Sequence, residues 1–182
     1  MKKLLLIAFA CCAAVLAPAA HAEAPLTLLL AGGGEDNVIR ISLSPDGRDY
    51  VIVSSTSLEA GGGICWHPEE RAEELHCKAP AIAGFEVNVS GGDDSVVLAS
   101  DIPIPATLRG GPGRDRLIGG GAADKIVGGP GPDYLGGRRG DDWIFGNTGP
   151  DTLIGGPGDD QLRGGPDTDV LVGGPGHNEV VQ

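Results

Sequence analysis

Gly110-Gly111-Pro112-Gly113-Arg114-Asp115-Arg116-Leu117-Ile118 and Gly155-Gly156-Pro157-Gly158-Asp159-Asp160-Gln161-Leu162-Arg163 are copies of one nine-residue unit. Asp115, Asp124, Asp133, Asp142, Asp151, Asp160 and Asp169 follow at nine-residue steps, and Asn178 keeps the step. Two residues after each stands an aliphatic: Leu117, Ile126, Leu135, Ile144, Leu153, Leu162, Leu171 and Val180. Five residues before each stands a glycine, from Gly110 to Gly173. Three positions held in phase over successive units specify a solenoid rather than a Gly/Pro-rich linker, because linkers hold no phase.

Each unit divides into a six-residue turn and a three-residue strand. In the strand, side chains alternate between faces, so the single aliphatic points inward and its neighbours point out. One apolar residue in nine makes a thin core, and the turns must supply much of the stability. Their glycines let the backbone curl and aim carbonyls at a centre, and the aspartate adds charge to the same centre. Six to eight oxygen ligands suit Ca²⁺, whereas softer metals would want Cys or His, and the repeats hold only His177. Two units make one coil, so units 18 apart should stack. One row of turns then carries Asp115, Asp133, Asp151 and Asp169, and the other Asp124, Asp142, Asp160 and Asn178. Strands stack about 4.8 Å apart, and carboxylates that close repel unless a cation lies between them.

Residues 110–181 resemble the haemolysin-type (repeats-in-toxin, RTX) calcium-binding proteins. The resemblance implies an all-β fold, a parallel β-roll or right-handed β-solenoid of nonapeptide repeats, with several Ca²⁺ ions between adjacent coils. It assigns the ions to the seven sixth-position aspartates and to turn carbonyls. Asn178 is a neutral ligand, and Asp141 and Asp159 at position five are further acceptors. Ala122 and Asp167 replace the fourth glycine and Arg138 and Asn147 the second, so weaker binding is expected in those turns. Prolines at position three, such as Pro112 and Pro157, stiffen the turn.

Residues 1–22 read as a secretory signal peptide: Lys2 and Lys3, an apolar run from Leu4 to Leu16, and Ala20-His21-Ala22 as cleavage site. The run is shorter than the roughly 20 residues a membrane span needs. Cys11 and Cys12 raise a lipoprotein reading, which Ala8-Phe9-Ala10 fits poorly. The family's best-known members use an uncleaved C-terminal export signal, so this leader argues against a toxin. Removing Lys2 and Lys3 from 13 basic residues leaves 11 against 25 acidic ones, a formal charge of −14. That excludes a nucleic-acid binder, which needs a basic surface, and predicts self-repulsion without counter-ions. The expected location is extracellular.

Residues 23–90 are expected to form an N-terminal β cap, because an open solenoid end exposes core and backbone. Val38, Ile39, Ile41 and Leu43, the turn Ser44-Pro45-Asp46-Gly47, and Tyr50-Val51-Ile52-Val53 predict a hairpin. Cys65 and Cys77, an even pair in an exported chain, read as a disulfide. The rival reading joins them with His67 and His76 as a zinc site. Glu69, Glu70, Glu73 and Glu74 form a solvated run with room for one helical turn. Phe85, Val87 and Val89 predict an edge strand leading into the roll. Residues 91–109 read as degenerate, metal-free coils. They include a partial repeat with Asp94 as a further metal candidate, and Ala106 at the metal position.

No G-x-S-x-G, H-E-x-x-H or P-loop occurs, so no enzyme is expected. The alternative is a small secreted hydrolase or zinc protein using His67 and His76. The expected role is structural or adhesive. Outward positions bear Ile118, Ile154, Val170 and Val172 on one sheet and Val127, Trp143, Phe145 and Val181 on the other. These are candidates for self-association or for contact with an extracellular protein or polysaccharide.

Overall fold

The computed structural model describes residues 5–8, 26–55, 65–68 and 73–182. Residues 9–25, with Cys11, Cys12 and the expected cleavage site Ala20-His21-Ala22, lie outside the described residues, as do Glu69 and Glu70. The strands are β1 Leu5–Ala8, β2 Leu26–Ala31, β3 Val38–Leu43, β4 Asp49–Ser54, β5 Cys65–Trp66, β6 Glu74–Lys78 and β7 Ile82–Asn88. The chain continues through β8 Ser95–Leu98, β9 Ala106–Arg109, β10 Arg116–Ile118, β11 Lys125–Pro130 and β12 Tyr134–Gly136. It closes with β13 Trp143–Thr148, β14 Thr152–Ile154, β15 Gln161–Arg163, β16 Val170–Val172 and β17 Glu179–Val181. A 3₁₀ turn at Ala79–Ala81 is the only helical element among the described residues, and no helix there is long and apolar enough to cross a membrane.

The fold is an all-β parallel roll. From β6 onward successive strands fall alternately into two sheets, ordered β1-β2-β7-β9-β11-β13-β15-β17 and β16-β14-β12-β10-β8-β3-β4-β6-β5. Register follows the 18-residue coil: Leu117 pairs with Leu135, Leu135 with Leu153, and Ile126 with Ile144, all in parallel strands. Leu117, Ile126, Leu135, Ile144 and Leu153 are fully buried between the sheets, one per strand.

The coils run through residues 91–109 and reach back beyond them. β8 and β9 are rungs of the roll, and β2 and β3 form a still earlier coil, with Leu30 opposite Val87 and Ile39 opposite Val96. β7 is therefore flanked on both sides, by β2 and β9. It is not the edge strand that Phe85 and Val87 suggest, because β2, from far earlier in the chain, covers its open side. The predicted hairpin is β3–β4, antiparallel, with Ile41 opposite Ile52. β4, β6 and β5 extend one sheet past the first coil and form the cap. The core is wider here, and Tyr50 meets Phe85 edge to face with ring centres 5.0 Å apart. Glu74 begins strand β6, not a helical turn.

Candidate metal centres

The sixth-position side chains form two continuous ladders. In the first, the amide of Asp94 donates to Asp115 Oδ1 at 3.0 Å, Asp115 to Asp133 at 2.8 Å, Asp133 to Asp151 at 2.8 Å and Asp151 to Asp169 at 2.8 Å. In the second, Ala106 donates to Asp124 at 2.7 Å, Asp124 to Asp142 at 2.8 Å, Asp142 to Asp160 at 2.9 Å and Asp160 to Asn178 Oδ1 at 2.9 Å. Each carboxylate thus reaches back to the coil before its own. These are the two rows expected from the period.

One oxygen of each carboxylate is used in this way. The other, Oδ2, is buried without a hydrogen-bond partner in Asp94, Asp115, Asp133, Asp142, Asp151 and Asp160. Burial pushes the carboxyls up from 3.8, Asp115 and Asp124 to about 6, Asp133 to about 7 and Asp142 to about 8. Asp94, Asp151 and Asp160 move the same way for the same reason. An anionic oxygen buried without a partner is costly, so a proton or a cation must meet it.

The glycines shape the place where it sits. A Cβ on Gly110, Gly119, Gly128, Gly137, Gly146, Gly155 or Gly164 would fall on the Oδ2 of the aspartate five residues later. First-position glycine is therefore a requirement of close approach. At the second and fourth positions, Gly129 and Gly131 have φ of +133°, and each leans on the carbonyl oxygen of its counterpart one coil earlier, Gly111 and Gly113. Arg138 and Asn147, each at φ +80°, and Asp167 at φ +127° take this left-handed conformation without being glycine. All-oxygen donors, with one carboxylate from each coil and turn carbonyls around it, fit Ca²⁺. The sixth-position aspartates would hold it, each ion drawing on neighbouring coils. No group of three or more His, Cys, Asp or Glu side chains gathers into a metal cage among the described residues. A row offering one carboxylate per coil does not form such a cage.

Asp169 and Asn178 are only half-buried, and Asp169 Oδ2 accepts from Gln182 Nε2 at 2.9 Å. Asp141 and Asp159 lie apart from the buried rows. They are exposed, and their Oδ1 atoms accept from the amides of Asp159 and His177. They brace the outside of the turns.

One unit escaped the sequence reading. Gly32-Gly33-Gly34-Glu35-Asp36-Asn37-Val38-Ile39-Arg40 is a repeat with Asn37 at position six. Its amide donates to Asp94 Oδ1 at 2.6 Å across a separation of 57 residues. The cap strands between the two units break the nine-residue phase that would have exposed it. The glycine run followed by Asn and Ile was the available signal.

Cys65 and Cys77 are disulfide-bonded, with Cα atoms 4.0 Å apart. Their sulfurs are not thiolates, which removes the zinc reading. His67 Nδ1 meets Glu74 O at 2.8 Å, and His76 Nε2 meets Glu74 Oε1 at 2.7 Å. On the sheet faces, Trp143 is 49% exposed, Val170 56% and Val172 48%, while Phe145, Ile154 and Val127 are half-buried and Val181 is exposed. Ile118, expected outside, is buried at 6% because its Cδ1 lies where Gly136 bears no side chain.

The model of the RTX calcium-binding nonapeptide repeat matches residues 107–135, 136–171 and 145–180. Residues 107–180 belong to the RTX repeats. No curated protein and no solved structure matches the chain. The RTX units begin where β9 does, so the coils built on β2, β3, β7 and β8 precede the matched stretch.

Proposed function

We propose that this protein is an exported calcium-binding β-roll whose RTX region folds around several Ca²⁺ ions, with a structural or adhesive rather than catalytic role. The observation that carries it is the pair of ladders in which a buried Oδ2 recurs without a partner. Ion binding at such places is folding free energy, because the unfolded chain has no site. The repeats therefore order where calcium is plentiful, as outside the cell. The leader sequence and the disulfide support export. The two histidines of the cap serve local contacts to Glu74, which supports a non-catalytic reading.

The exposed faces suit association between rolls. Trp143 on one sheet and Val170 and Val172 on the other are costly to leave wet. Calcium promotes contact by ordering the sheets and lowering the net negative charge. Calcium titration followed by circular dichroism and light scattering tests the proposal. A rise in β signal saturating near 10⁻⁴–10⁻³ M, roughly the range of extracellular modules, is expected, with a rise in mass that Trp143→Ser weakens. A full β spectrum in calcium-stripped buffer at neutral pH, unchanged by calcium, would overturn the folding claim. A strict monomer in saturating calcium would leave the faces to a foreign protein or polysaccharide.

A further inference from the structure

Arg138 occupies the second position of its unit, where most units have glycine, and holds a left-handed backbone that disfavours any Cβ. Its side chain runs back along the stack. Nη1 donates to Gly119 O at 3.0 Å and also to Leu98 O. Val97 pairs with Ile118, so the next residues are Leu98, the last of β8, and Gly119, the first after β10.

In the regular coils a second-position amide serves the first-position carbonyl of the coil after it. Gly111 donates to Gly128 O, Asn147 to Gly164 O and Gly156 to Gly173 O, each at 2.9 Å. Between β8 and β10 the step is 21 residues instead of 18, as from Asp94 to Asp115. Ala99, which follows Leu98, turns its amide to Ile41 O at 2.7 Å instead. The Arg138 guanidinium donates to Gly119 O in its place.

Asp124, in the same turn, differs from the other buried aspartates. Its Oδ1 accepts from Ala106 N and its Oδ2 from Gly120 N, both at 2.7 Å. Neither oxygen is orphaned. The coil before it contributes Ala106 and no carboxylate.

Resting on the calcium reading above, we infer that Arg138 is a built-in cation that takes the place of Ca²⁺ at the Asp124 turn, so the second row takes calcium only from Asp142 onward. The first row opens differently: Asn37 Nδ2 donates to Asp94 Oδ1 at 2.9 Å and to Glu35 O at 2.5 Å, while Asp94 Oδ2 stays buried without a partner. The Asp124 coil then stands without calcium and presents a formed edge on which the later coils of the second row assemble.

The test is the number of calcium ions bound per full chain, counted by calorimetry with an independent metal analysis. Asp124→Asn is expected to leave the count unchanged, whereas Asp142→Asn lowers it by at least one. Arg138→Gly, which restores the usual residue and relieves the backbone, is expected to raise the count by one, and Asp124→Asn in that background to take it away again. If Arg138→Gly does not fold, the two aspartate variants in the native background decide. Equal losses in Asp124→Asn and Asp142→Asn would overturn the inference while leaving calcium binding intact. A wild-type chain that binds no calcium would overturn the parent reading as well.

Discussion

The Oδ2 atom of Asp133 lies where a β-carbon on Gly128 would have to be. The same fit recurs from Gly110 with Asp115 to Gly164 with Asp169. Glycine at position one and aspartate at position six are therefore one device, a carboxylate folded over bare backbone so that its second oxygen faces the inside of the turn.

Gly128→Ala is expected to destabilise the calcium-loaded roll by about 1–3 kcal/mol, the usual range for overpacking a filled site, and to weaken ion binding. Gly34→Ala, with nothing within 4 Å of the new Cβ, is expected to stay within about 0.5 kcal/mol. Thermal melts in saturating calcium compare them. Equal effects would mean that the close approach does not matter.

The metal-free roll is expected to be more stable in acid. Burial raises Asp115, Asp133 and Asp142 to about 6, 7 and 8. A carboxyl whose folded pKa lies above its unfolded one adds stability in its protonated form. That contribution is full below about pH 4 and is lost as pH rises through 6 to 8. Melts in calcium-stripped buffer should show a higher midpoint near pH 5 than near pH 8. Saturating calcium should narrow the gap, because the ion replaces the proton. A midpoint that rises with pH in the stripped buffer would contradict the burial of these groups.

Asp133→Ala and Asp142→Ala are expected to remove ions and stability together, since each side chain is buried and bonded to the coil before its own. Asn178→Ala should do little, being neutral, half-buried and met by only one coil. Isothermal titration on the three variants separates them, and equal losses would refute the stacking order.

Reducing Cys65–Cys77 is expected to lower the stability of the cap by about 3 kcal/mol, the loop-entropy value for a short loop. The calcium-dependent melt of later coils should move less, because the bond ties β5 to β6 at the far end of the sheet. Mass spectrometry of non-reduced peptides verifies the bond, and melts with and without reductant measure its effect.

The period alone determined much of this protein. Nine-residue steps in Gly, Asp and aliphatic positions fix alternate facing, an 18-residue coil and two rows of carboxylates, because strand alternation and turn length are local properties. The pairs Leu117–Leu135 and Ile126–Ile144 follow from counting. Tertiary structure decided what counting cannot reach. Asn37 joins the first row across 57 residues, and β2 covers the side of β7 that the sequence left open. Arg138 reads as a defect in its own unit, yet its guanidinium reaches carbonyls 19 and 40 residues earlier. Insertions at the ends of coils erase phase in the sequence while leaving spatial register untouched. A side chain long enough to cross two coils has no local signature.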